Sequence, residues 1–454
     1  MATLPTGFHL RLRGDIGACT DAGSTEATTD GAAIQQWNDQ SGSGYHVTQA
    51  TAANRPVYQA PSAMTGDPRP GVRFEMVDTV AAANRPFMDL AAGMPVDRWN
   101  STIFVVARTI YHNQGSQALI APGAGGVHGT MYWDQPVNAS GTEFGRVRTA
   151  SAIRTFPNRA FIGAQKAVYG IRSSINGVRH YRNTETFDAA TITSGTSAGG
   201  WLMKFTASNW HCTGTVYEVV IYPDDLSDAD AAQAIEYLME AHGIVETSGV
   251  IVVEGDSIAA GHSIGTSVVY TAKNRTLTNY LACANPGMEV YSTAVTSSAV
   301  ATAVARVSNH VAPRYKPGAL NIMCLNIGTN NTTTGLETAA ETLDLVRAYC
   351  LTLKGLGFKV IIATQIARND SEGTLRDEYN DLLRAQYTQF ADALADPAAD
   401  PILLNFGNTT YFNGDGIHLN ETGTGVLATH FNAAISQVEA AYALAGGNLR
   451  GRGR

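Results

Sequence analysis

The chain has 454 residues, of which 44% are hydrophobic and 15% charged, and its formal net charge is −8. Single hydrophobic cores stop growing at about 250–300 residues, so this length predicts at least two folded domains. The acidic balance argues against nucleic acid or an anionic membrane as a partner, because both attract basic surfaces. No apolar stretch reaches the roughly 18 residues of a membrane helix, and we recognise no secretory signal peptide.

The first half of the chain is a series of short β-type runs separated by Gly, Asn, Asp and Pro. The clearest runs predict strands over residues 102–107, 118–120, 160–162 and 216–222. Many short strands with frequent turn signals are typical of an all-β sandwich or jelly roll. A closing helix is predicted over residues 227–241, with Ser227 as its N-cap and Gly243 as its stop signal.

The rhythm changes at the apolar run Gly249-Val250-Ile251-Val252-Val253, and all five tryptophans precede it. We therefore predict one domain over residues 1–246, a second over residues 247–445, and a flexible basic tail over residues 446–454. Apolar runs in the second domain predict buried strands over residues 250–254, 288–293, 320–327, 358–366 and 402–406. Helical spacing predicts helices over residues 336–353, 378–395 and 424–444. This alternation indicates a parallel sheet covered on both faces.

Cysteine usage indicates the compartment of synthesis. The five cysteines are widely spaced without a CxxC pair, at positions 19, 212, 283, 324 and 350. Such a set predicts neither a disulfide framework nor a zinc site. Cys324 and Cys350 lie in apolar periodic segments, so we expect them to be small buried hydrophobes. We expect a protein made in a reducing cytoplasm.

Three polar segments fall where a parallel sheet places its functional loops, at the carboxyl ends of its strands. Gly255-Asp256-Ser257-Ile258 follows the first predicted strand, and Gly328-Thr329-Asn330-Asn331 follows the third. Asp415-Gly416-Ile417-His418 precedes the last predicted helix. A serine nucleophile needs an imidazole to take its proton, and the imidazole needs a carboxylate to fix its tautomer. Each segment alone is a common loop sequence, but together they supply all three groups.

In order and placement these segments resemble the SGNH, or GDSL-type, hydrolase family over roughly residues 249–445. The resemblance implies a flavodoxin-like α/β fold. It assigns Ser257 as the nucleophile, His418 as the base and then the acid, and Asp415 as the group that orients His418. No cofactor or metal is needed for this reaction. His262 is either a substrate contact or a rim side chain, and His430 is expected to be structural.

The same resemblance implies an oxyanion hole with three donors. They are the backbone N–H of Ser257, a backbone N–H within residues 291–298, and the side-chain amide of Asn330. The family normally carries a glycine where we align Ser297, so this position departs from its pattern. Asn331 replaces the usual aspartate, which keeps the donor amide of Asn330 and loses a supporting carboxylate.

The first half resembles the concanavalin A-like, laminin-G-type jelly rolls over most of residues 8–245. The likeness rests on residues 37–44, Arg55-Pro56, the predicted strand over residues 102–107, Asn176-Gly177 and the closing run of residues 214–229. Many such domains bind sugars, and a tryptophan ring can stack on a pyranose. The alternative, which we favour, is that Trp37 and Trp210 are core or strand-face residues.

Together these features favour a multi-domain serine esterase that removes O-acetyl or similar small acyl groups from a polysaccharide or other acylated glycan. Without a signal peptide, release as a bacteriophage-like virion or tail component would bring it to an external glycan, as a homo-oligomer or within a larger assembly. Two alternatives stay open: a lipid esterase or thioesterase, and a structural or adhesion protein whose hydrolase fold has lost activity. The Ser297 replacement favours the last, and the four intact catalytic residue types weigh against it.

Overall fold

The computed structural model describes residues 2–61, 68–74, 86–97, 100–109, 117–122, 130–134, 144–148, 153–156, 165–174, 177–189, 196–204, 214–263, 269–270, 276–333, 337–369 and 373–446. The chain forms two compact units, the first built from Met1–Val245 and the second from most of the remaining residues. In the described ranges, no helix is both long and apolar enough to cross a membrane.

The first unit consists mainly of antiparallel strands. In chain order they are β1 (Leu10–Arg13), β2 (Ala18–Cys19), β3 (Gln36–Trp37), β4 (Val47–Thr48), β5 (Val57–Gln59), β6 (Gly71–Phe74), β7 (Met88–Asp97), β8 (Ser101–Thr109), β9 (Gln117–Pro122), β10 (Thr130–Asp134), β11 (Phe144–Arg148), β12 (Ile153–Phe156), β13 (Lys166–Ser174), β14 (Gly177–Arg182), β15 (Glu185–Ala189), β16 (Thr196–Leu202) and β17 (Gly214–Tyr222). One sheet has the order β15-β14-β13-β8-β17-β6-β5 with β1 also on β17, and the other has the order β12-β11-β10-β9-β16-β7-β4-β3-β2. Helix α1 (Asp228–Ala241) follows, and the Ser227 side chain caps it by accepting from the Asp230 N–H.

The core of this unit lies along β8 and β17. Every residue of β17 is buried, so both faces of the strand are covered. Helix α1 covers one face, where Ile235 and Leu238 share a cluster with Phe104 and Tyr222. Trp37 is also buried, and its indole N–H donates to the Arg13 carbonyl over 2.8 Å. Trp37 is therefore a core residue rather than a platform for sugar.

The antiparallel sheets agree with the predicted all-β class, while the jelly-roll topology stays a prediction. The predicted strands at residues 102–107, 118–120 and 216–222 lie within β8, β9 and β17. The strand predicted at residues 160–162 and Trp210 lie outside the described residues. Trp133 lies in β10 and Trp201 in β16, and their side chains are not among those described.

The second unit alternates strands and helices. Its elements are β18 (Gly249–Gly255), α2 (Ser257–Ala260), β19 (His262–Ser263), β20 (Val269–Tyr270), α3 (Leu277–Ala284), β21 (Met288–Ser292), α4 (Val300–Arg306), β22 (Leu320–Asn326), α5 (Thr329–Thr333), α6 (Ala339–Gly355), β23 (Lys359–Ala363), α7 (Gly373–Gln386), β24 (Ala393–Ala395) and α8 (Glu421–Leu444). A π-helical turn, Val307–Val311, directly follows α4.

Five strands form a parallel sheet in the order β21-β18-β22-β23-β24. All residues of β18 and β22 are buried, so the sheet is covered on both faces. One group of packed helices contains α3 and α8, and another contains α4, α6 and α7. The chain winds outward from β18 in both directions, which makes the β18/β22 boundary the topological switch point, where doubly wound sheets place their sites.

The fifth strand is not the predicted one. Residues 402–406 form turns instead, because Pro401 interrupts the backbone and the Asp400 side chain accepts from the Ile402 N–H over 2.9 Å. Leu404 and Phe406 are exposed, as residues of a buried strand would not be. The edge strand is β24, so the predicted helix over residues 378–395 is wrong at its end, where these three residues are a strand.

Candidate active site

The site is built on the loops that leave the carboxyl ends of β18, β21 and β22, together with the loop that precedes α8. Backbone bonds tie the first three loops together: the Val295 N–H donates to the Gly255 carbonyl over 3.0 Å, and the Asp256 N–H to the Asn326 carbonyl over 3.2 Å. The loop after β18 is thus fastened to the other two. Residues distant in sequence converge at the switch point because parallel strands end at the same edge.

The turn after β18 requires a glycine and ends in a helix start. A Cβ on Gly255 would lie 1.9 Å from the Asn326 carbonyl oxygen, so any larger residue would push β18 and β22 apart. Asp256 is the N-cap of α2, and its Oδ1 accepts from the Ile258 N–H over 2.9 Å. Ser257 is therefore the first residue of α2, where backbone N–H groups have no acceptor within the helix.

The structure brings Ser257, His418 and Asp415 into one line of hydrogen bonds. His418 Nε2 lies 2.9 Å from Ser257 Oγ, and His418 Nδ1 lies 2.6 Å from Asp415 Oδ2. The Nδ1–H donates to the carboxylate in this arrangement, which leaves Nε2 as the acceptor for the serine proton. The hydroxyl, the imidazole and the carboxylate therefore have the geometry of a nucleophile, a base and the group that orients the base.

The loop that carries His418 is shaped by Asp415 itself. The Asp415 Oδ1 accepts from the backbone N–H groups of Ile417, over 2.8 Å, and His418, over 3.0 Å. Partial burial acts to raise the pKa of Asp415, but these bonds and the bond from the His418 ring outweigh it and hold the pKa below its usual value. Asp415 consequently stays ionised, as an orienting carboxylate must.

The loop after β21 places Ser297 in an unusual backbone conformation. The φ angle of Ser297 is +60°, in the left-handed region that favours glycine. The next residue, Ser298, is buried, and its N–H donates to the Val295 carbonyl over 3.2 Å to close the turn. The serine at this position thus holds the conformation that a glycine would adopt.

Asn330 is bonded to the same turn. Its Nδ2 donates to the Ser298 carbonyl over 3.0 Å. An amide nitrogen carries two hydrogens, so this bond fixes the orientation of the amide and leaves a second donor for a ligand. The neighbouring Asn331 is buried and accepts from the Val300 N–H over 3.0 Å. Asn331 therefore supports the loop although it lacks the carboxylate that the resemblance led us to expect there.

Two buried carboxyl groups closely precede Ser257 in the sequence. Burial raises the pKa of Asp256 to about 6, against the opposing effects of the Ile258 N–H and of positive charge on Arg368. Burial likewise raises the pKa of Glu254 to about 7, against the attraction of Arg306. No motif in the sequence marks Glu254 or Arg306 as functional residues. The available signal was a lone carboxylate at the end of the otherwise apolar run of residues 250–254.

Of the two remaining candidate histidines, the structure describes the side chain of His430. His430 is on α8, and its Nε2 lies 3.2 Å from Asp400 Oδ2. His262 is in β19, where its side chain is not among those described. Throughout the described ranges, no group of three or more His, Cys, Asp or Glu side chains is arranged to hold a metal ion.

Residues 253–426 match the model of the GDSL-like Lipase/Acylhydrolase family. The match covers less than half of the chain, and Ser257, Asn330, Asp415 and His418 all lie within it. It supports a GDSL-type hydrolase domain with a parallel sheet in the C-terminal part of the chain. Among curated proteins, none matches the sequence.

Solved structures that are similar to this protein match about two fifths of the chain. A member of the lipolytic protein G-D-S-L family from Veillonella parvula is 16% identical with a TM-score of 0.36, and the match spans 41% of this chain and 98% of that one. A lipase/acylhydrolase from Enterococcus faecalis is 16% identical with a TM-score of 0.35, over 42% and 97%. A mutant of an acetyl-xylooligosaccharide esterase from Geobacillus Stearmophilus is 17% identical with a TM-score of 0.34, over 42% and 95%.

Proposed function

We propose that the protein is a serine ester hydrolase that removes O-acetyl or similar small acyl groups from a polysaccharide or other acylated glycan. The single observation that carries the hydrolase activity is the Ser257–His418–Asp415 line, with its contacts of 2.9 and 2.6 Å. The family match over residues 253–426 supports the same class of reaction.

The reaction begins when Ser257 Oγ attacks the acyl carbon while His418 Nε2 takes the hydroxyl proton. The carbonyl π electrons move to oxygen, and the oxyanion accepts bonds from the Ser257 N–H, the Asn330 amide and the N–H at Ser297. The oxyanion collapses, the ester C–O bond breaks, and His418 returns the proton to the leaving alcohol. A water molecule then attacks the acyl-serine through the same steps and releases the carboxylic acid.

The glycan part of the proposal is motivated by the separate β-rich first unit. A cavity of about 330 Å³ in that unit is lined by charged and aromatic side chains, among them Arg13, Asp15, Tyr237 and His242. Planar charged groups and aromatic rings are suited to bind the hydroxyls and the apolar faces of sugar rings. This lining supports the first unit as the part that holds the polymer. Release with a virion or tail assembly is the setting we propose for an encounter with an external glycan.

The activity is tested by incubating the protein with acetylated polysaccharides and measuring released acetate. We expect release by the wild type and none by Ser257→Ala, with an unchanged melting temperature because Ser257 lies at a loop edge rather than in the core. Ser308→Ala, at an exposed serine of the same unit, is the matched control and should keep full activity. No release from any polysaccharide, with p-nitrophenyl acetate also inert, would refute the proposal.

A lipid esterase or thioesterase is the second candidate, because the matched family includes lipases by its description. A series of p-nitrophenyl esters from acetate to palmitate separates the two functions. We expect kcat/KM to be highest for acetate and to fall as the acyl chain lengthens. A strong preference for long chains would favour the lipid esterase instead.

Loss of activity, the third alternative, has less support. This alternative rested on the serine at position 297, where the family normally has a glycine. Ser297 nevertheless has a φ of +60°, so the loop backbone keeps the left-handed conformation that a glycine would adopt. Rapid labelling of Ser257 by a fluorophosphonate would exclude an inactive site, and Ser257→Ala is the control for the position of the label.

A further inference from the structure

A charged network that the reaction above does not use lies behind the oxyanion donors. Glu254, next to the end of β18, has a side chain that is only 1% exposed. The Arg306 guanidinium donates to its Oε1 over 2.8 Å, and the Thr293 hydroxyl donates to its Oε2. The strand before the nucleophile, the loop after β21 and the end of α4 therefore meet at one buried carboxylate.

The other branch of the same guanidinium reaches the loop after β21 that carries Ser297 and Ser298. Arg306 Nη1 donates to Ser298 Oγ over 2.8 Å, and the Ser298 carbonyl in turn accepts from Asn330 over 3.0 Å. Ser298 directly follows Ser297, whose φ is +60°. A continuous chain of bonds thus runs from buried Glu254 through Arg306 and Ser298 to the amide of Asn330.

Stability alone is a weak reason for this arrangement. Burying two charges costs about as much free energy as their attraction returns, so an apolar pair in the same place would serve stability as well. The guanidinium is different in offering donors in a rigid planar fork, which holds two partners at fixed positions. Arg306 also stands where α4 passes into the π-helical turn Val307–Val311, and such turns are frequent at functional sites.

We propose that Arg306, anchored by Glu254, is a positioning residue that sets the place of two oxyanion donors, the Asn330 amide and the backbone N–H at Ser297. The inference rests on the ester hydrolase activity proposed above. Arg306 acts through Ser298 and does not touch the reacting atoms. A displacement of about 1 Å in a catalytic group can lower the rate about a hundredfold, so a broken link should be visible in kcat.

Substitutions can cut the network at separate points. Ser298→Ala removes the hydroxyl that Arg306 holds and keeps the carbonyl that binds Asn330. Arg306→Met removes both charge-assisted bonds, and Arg306→Lys restores the charge without the fork. Arg384→Met is the matched control, because Arg384 forms a similar ion pair with Asp396, at 2.9 Å, elsewhere in the same unit.

The measurements are kcat and KM for p-nitrophenyl acetate, with a melting curve for each variant. We expect Ser298→Ala and Arg306→Met to lower kcat about 10- to 100-fold and to change KM less than about threefold. Arg306→Lys should recover part of the loss, and Arg384→Met should stay within about twofold of the wild type. Since Arg306→Met leaves Glu254 buried without its charged partner, Glu254→Gln/Arg306→Met repeats the test without that unpaired charge.

A double-mutant cycle with Asn330→Ala separates positioning from general damage. If Arg306 acts through Asn330, then Arg306→Met should cost much less in the Asn330→Ala background than in the wild type. Full additivity would overturn the inference. A folded Glu254→Gln/Arg306→Met protein with the kcat of the wild type would also overturn it. The same holds if Arg384→Met lowers kcat as much as Arg306→Met does, or if Ser298→Ala and Arg306→Met change only KM.

The rate of Ser257 labelling by a fluorophosphonate distinguishes a failure of this inference from a failure of the proposed function. A wild type that neither hydrolyses esters nor labels at Ser257 overturns the proposed function, and the positioning role with it. A wild type that labels, while Ser298→Ala and Arg306→Met label at the same rate, overturns the positioning role alone. Slower labelling of both variants supports it.

Discussion

The two arms of the candidate site are held together in different ways. The proton-transfer arm, formed by Ser257, His418 and Asp415, joins its members directly through side-chain contacts of 2.9 and 2.6 Å. In the oxyanion arm, formed by Ser297, Ser298 and Asn330, the Asn330 side chain donates to the backbone carbonyl of Ser298, at 3.0 Å. The first arm depends on residue type, whereas the second depends on where the backbone runs.

This difference explains where the sequence departs from the pattern of the family it resembles. Both departures, Ser297 and Asn331, belong to or support the oxyanion arm. Ser297 keeps the left-handed backbone conformation, and Asn331 still accepts a loop N–H from Val300 over 3.0 Å. An arm defined by backbone position tolerates new side chains when the loop keeps its course. An arm defined by proton transfer depends on the side chains themselves.

The largest effects should come from the proton-transfer arm. We expect His418→Ala to lower kcat on the order of 10⁶-fold and Asp415→Asn on the order of 10⁴-fold, because nothing replaces the base whereas the asparagine mainly favours the wrong imidazole tautomer. Steady-state hydrolysis of p-nitrophenyl acetate measures both. His430→Ala, at a histidine bonded to Asp400, is the control and should change kcat less than about twofold. An Asp415→Asn protein less active than His418→Ala would reverse the assigned roles.

The oxyanion arm should show a smaller loss confined to kcat. Asn330→Ala removes a donor for charge that exists only in the transition state, so kcat should fall about 10²- to 10³-fold with KM nearly unchanged. Asn309→Ala, at an exposed asparagine of the same unit, should leave both constants unchanged. An increase in KM alone would instead place Asn330 in ground-state binding of the substrate.

The residues of the proton-transfer arm could be predicted from the sequence, whereas the residues that support the oxyanion arm could not. Ser257, Asp415 and His418 were identifiable because their chemistry demands particular residue types at the ends of predicted strands and before a predicted helix. Arg306 and Glu254 form no motif, and only the contact of α4 with β18 brings them together, at 2.8 Å. Their role depends on tertiary structure that no local pattern records.

The fold likewise has parts that could be predicted from the sequence and parts that could not. Apolar runs in the sequence predicted four of the five parallel strands, since each of these strands has five to seven residues and all or nearly all of them are buried. The fifth strand was predicted wrongly for two reasons. The observed strand, β24, has only three residues, which is too short to give a pattern. The strand predicted over residues 402–406 follows Pro401 and forms turns instead. In the first unit, strands such as β8 and β17 were predictable, but their neighbours in the sheets were not, because pairing depends on contacts far apart in sequence.

Asp256, the N-cap of α2, should make the stability of the protein depend on pH. The pKa of Asp256 is raised from 3.8 to about 6, so the fold disfavours its ionised form. The contribution of Asp256 to the free energy of unfolding of the wild type is therefore fully present below about pH 4 and is lost as the pH rises through about 6. Asp256→Asn keeps an acceptor for the Ile258 N–H and cannot ionise. At pH 8 it should be more stable than the wild type, by up to about 3 kcal/mol at 1.36 kcal/mol per pKa unit, with the advantage vanishing near pH 4.

Urea unfolding between pH 4 and 8 measures this difference, and Asp396→Asn supplies a control of opposite sign. Partial burial acts to raise the pKa of Asp396, but its bonds to Arg384 and Thr364 hold the pKa below the usual value. Asp396→Asn should therefore be less stable than the wild type at pH 8 and approach it at low pH. A constant offset for Asp256→Asn across the whole range would show that ionisation of Asp256 does not limit stability.

The smallest expected effect addresses the oxyanion arm again, at Ser297. A left-handed conformation costs a residue with a Cβ about 1–2 kcal/mol, while a glycine loses about 0.4–1 kcal/mol through the added freedom of the unfolded chain. Ser297→Gly should therefore stabilise the protein by about 1 kcal/mol and keep or raise kcat, because only the backbone N–H is proposed to act. Ser308→Gly, in the π-helical turn, is the control and should destabilise the protein. A large loss of kcat in Ser297→Gly would mean that the serine hydroxyl takes part, or that another residue of the loop supplies the donor.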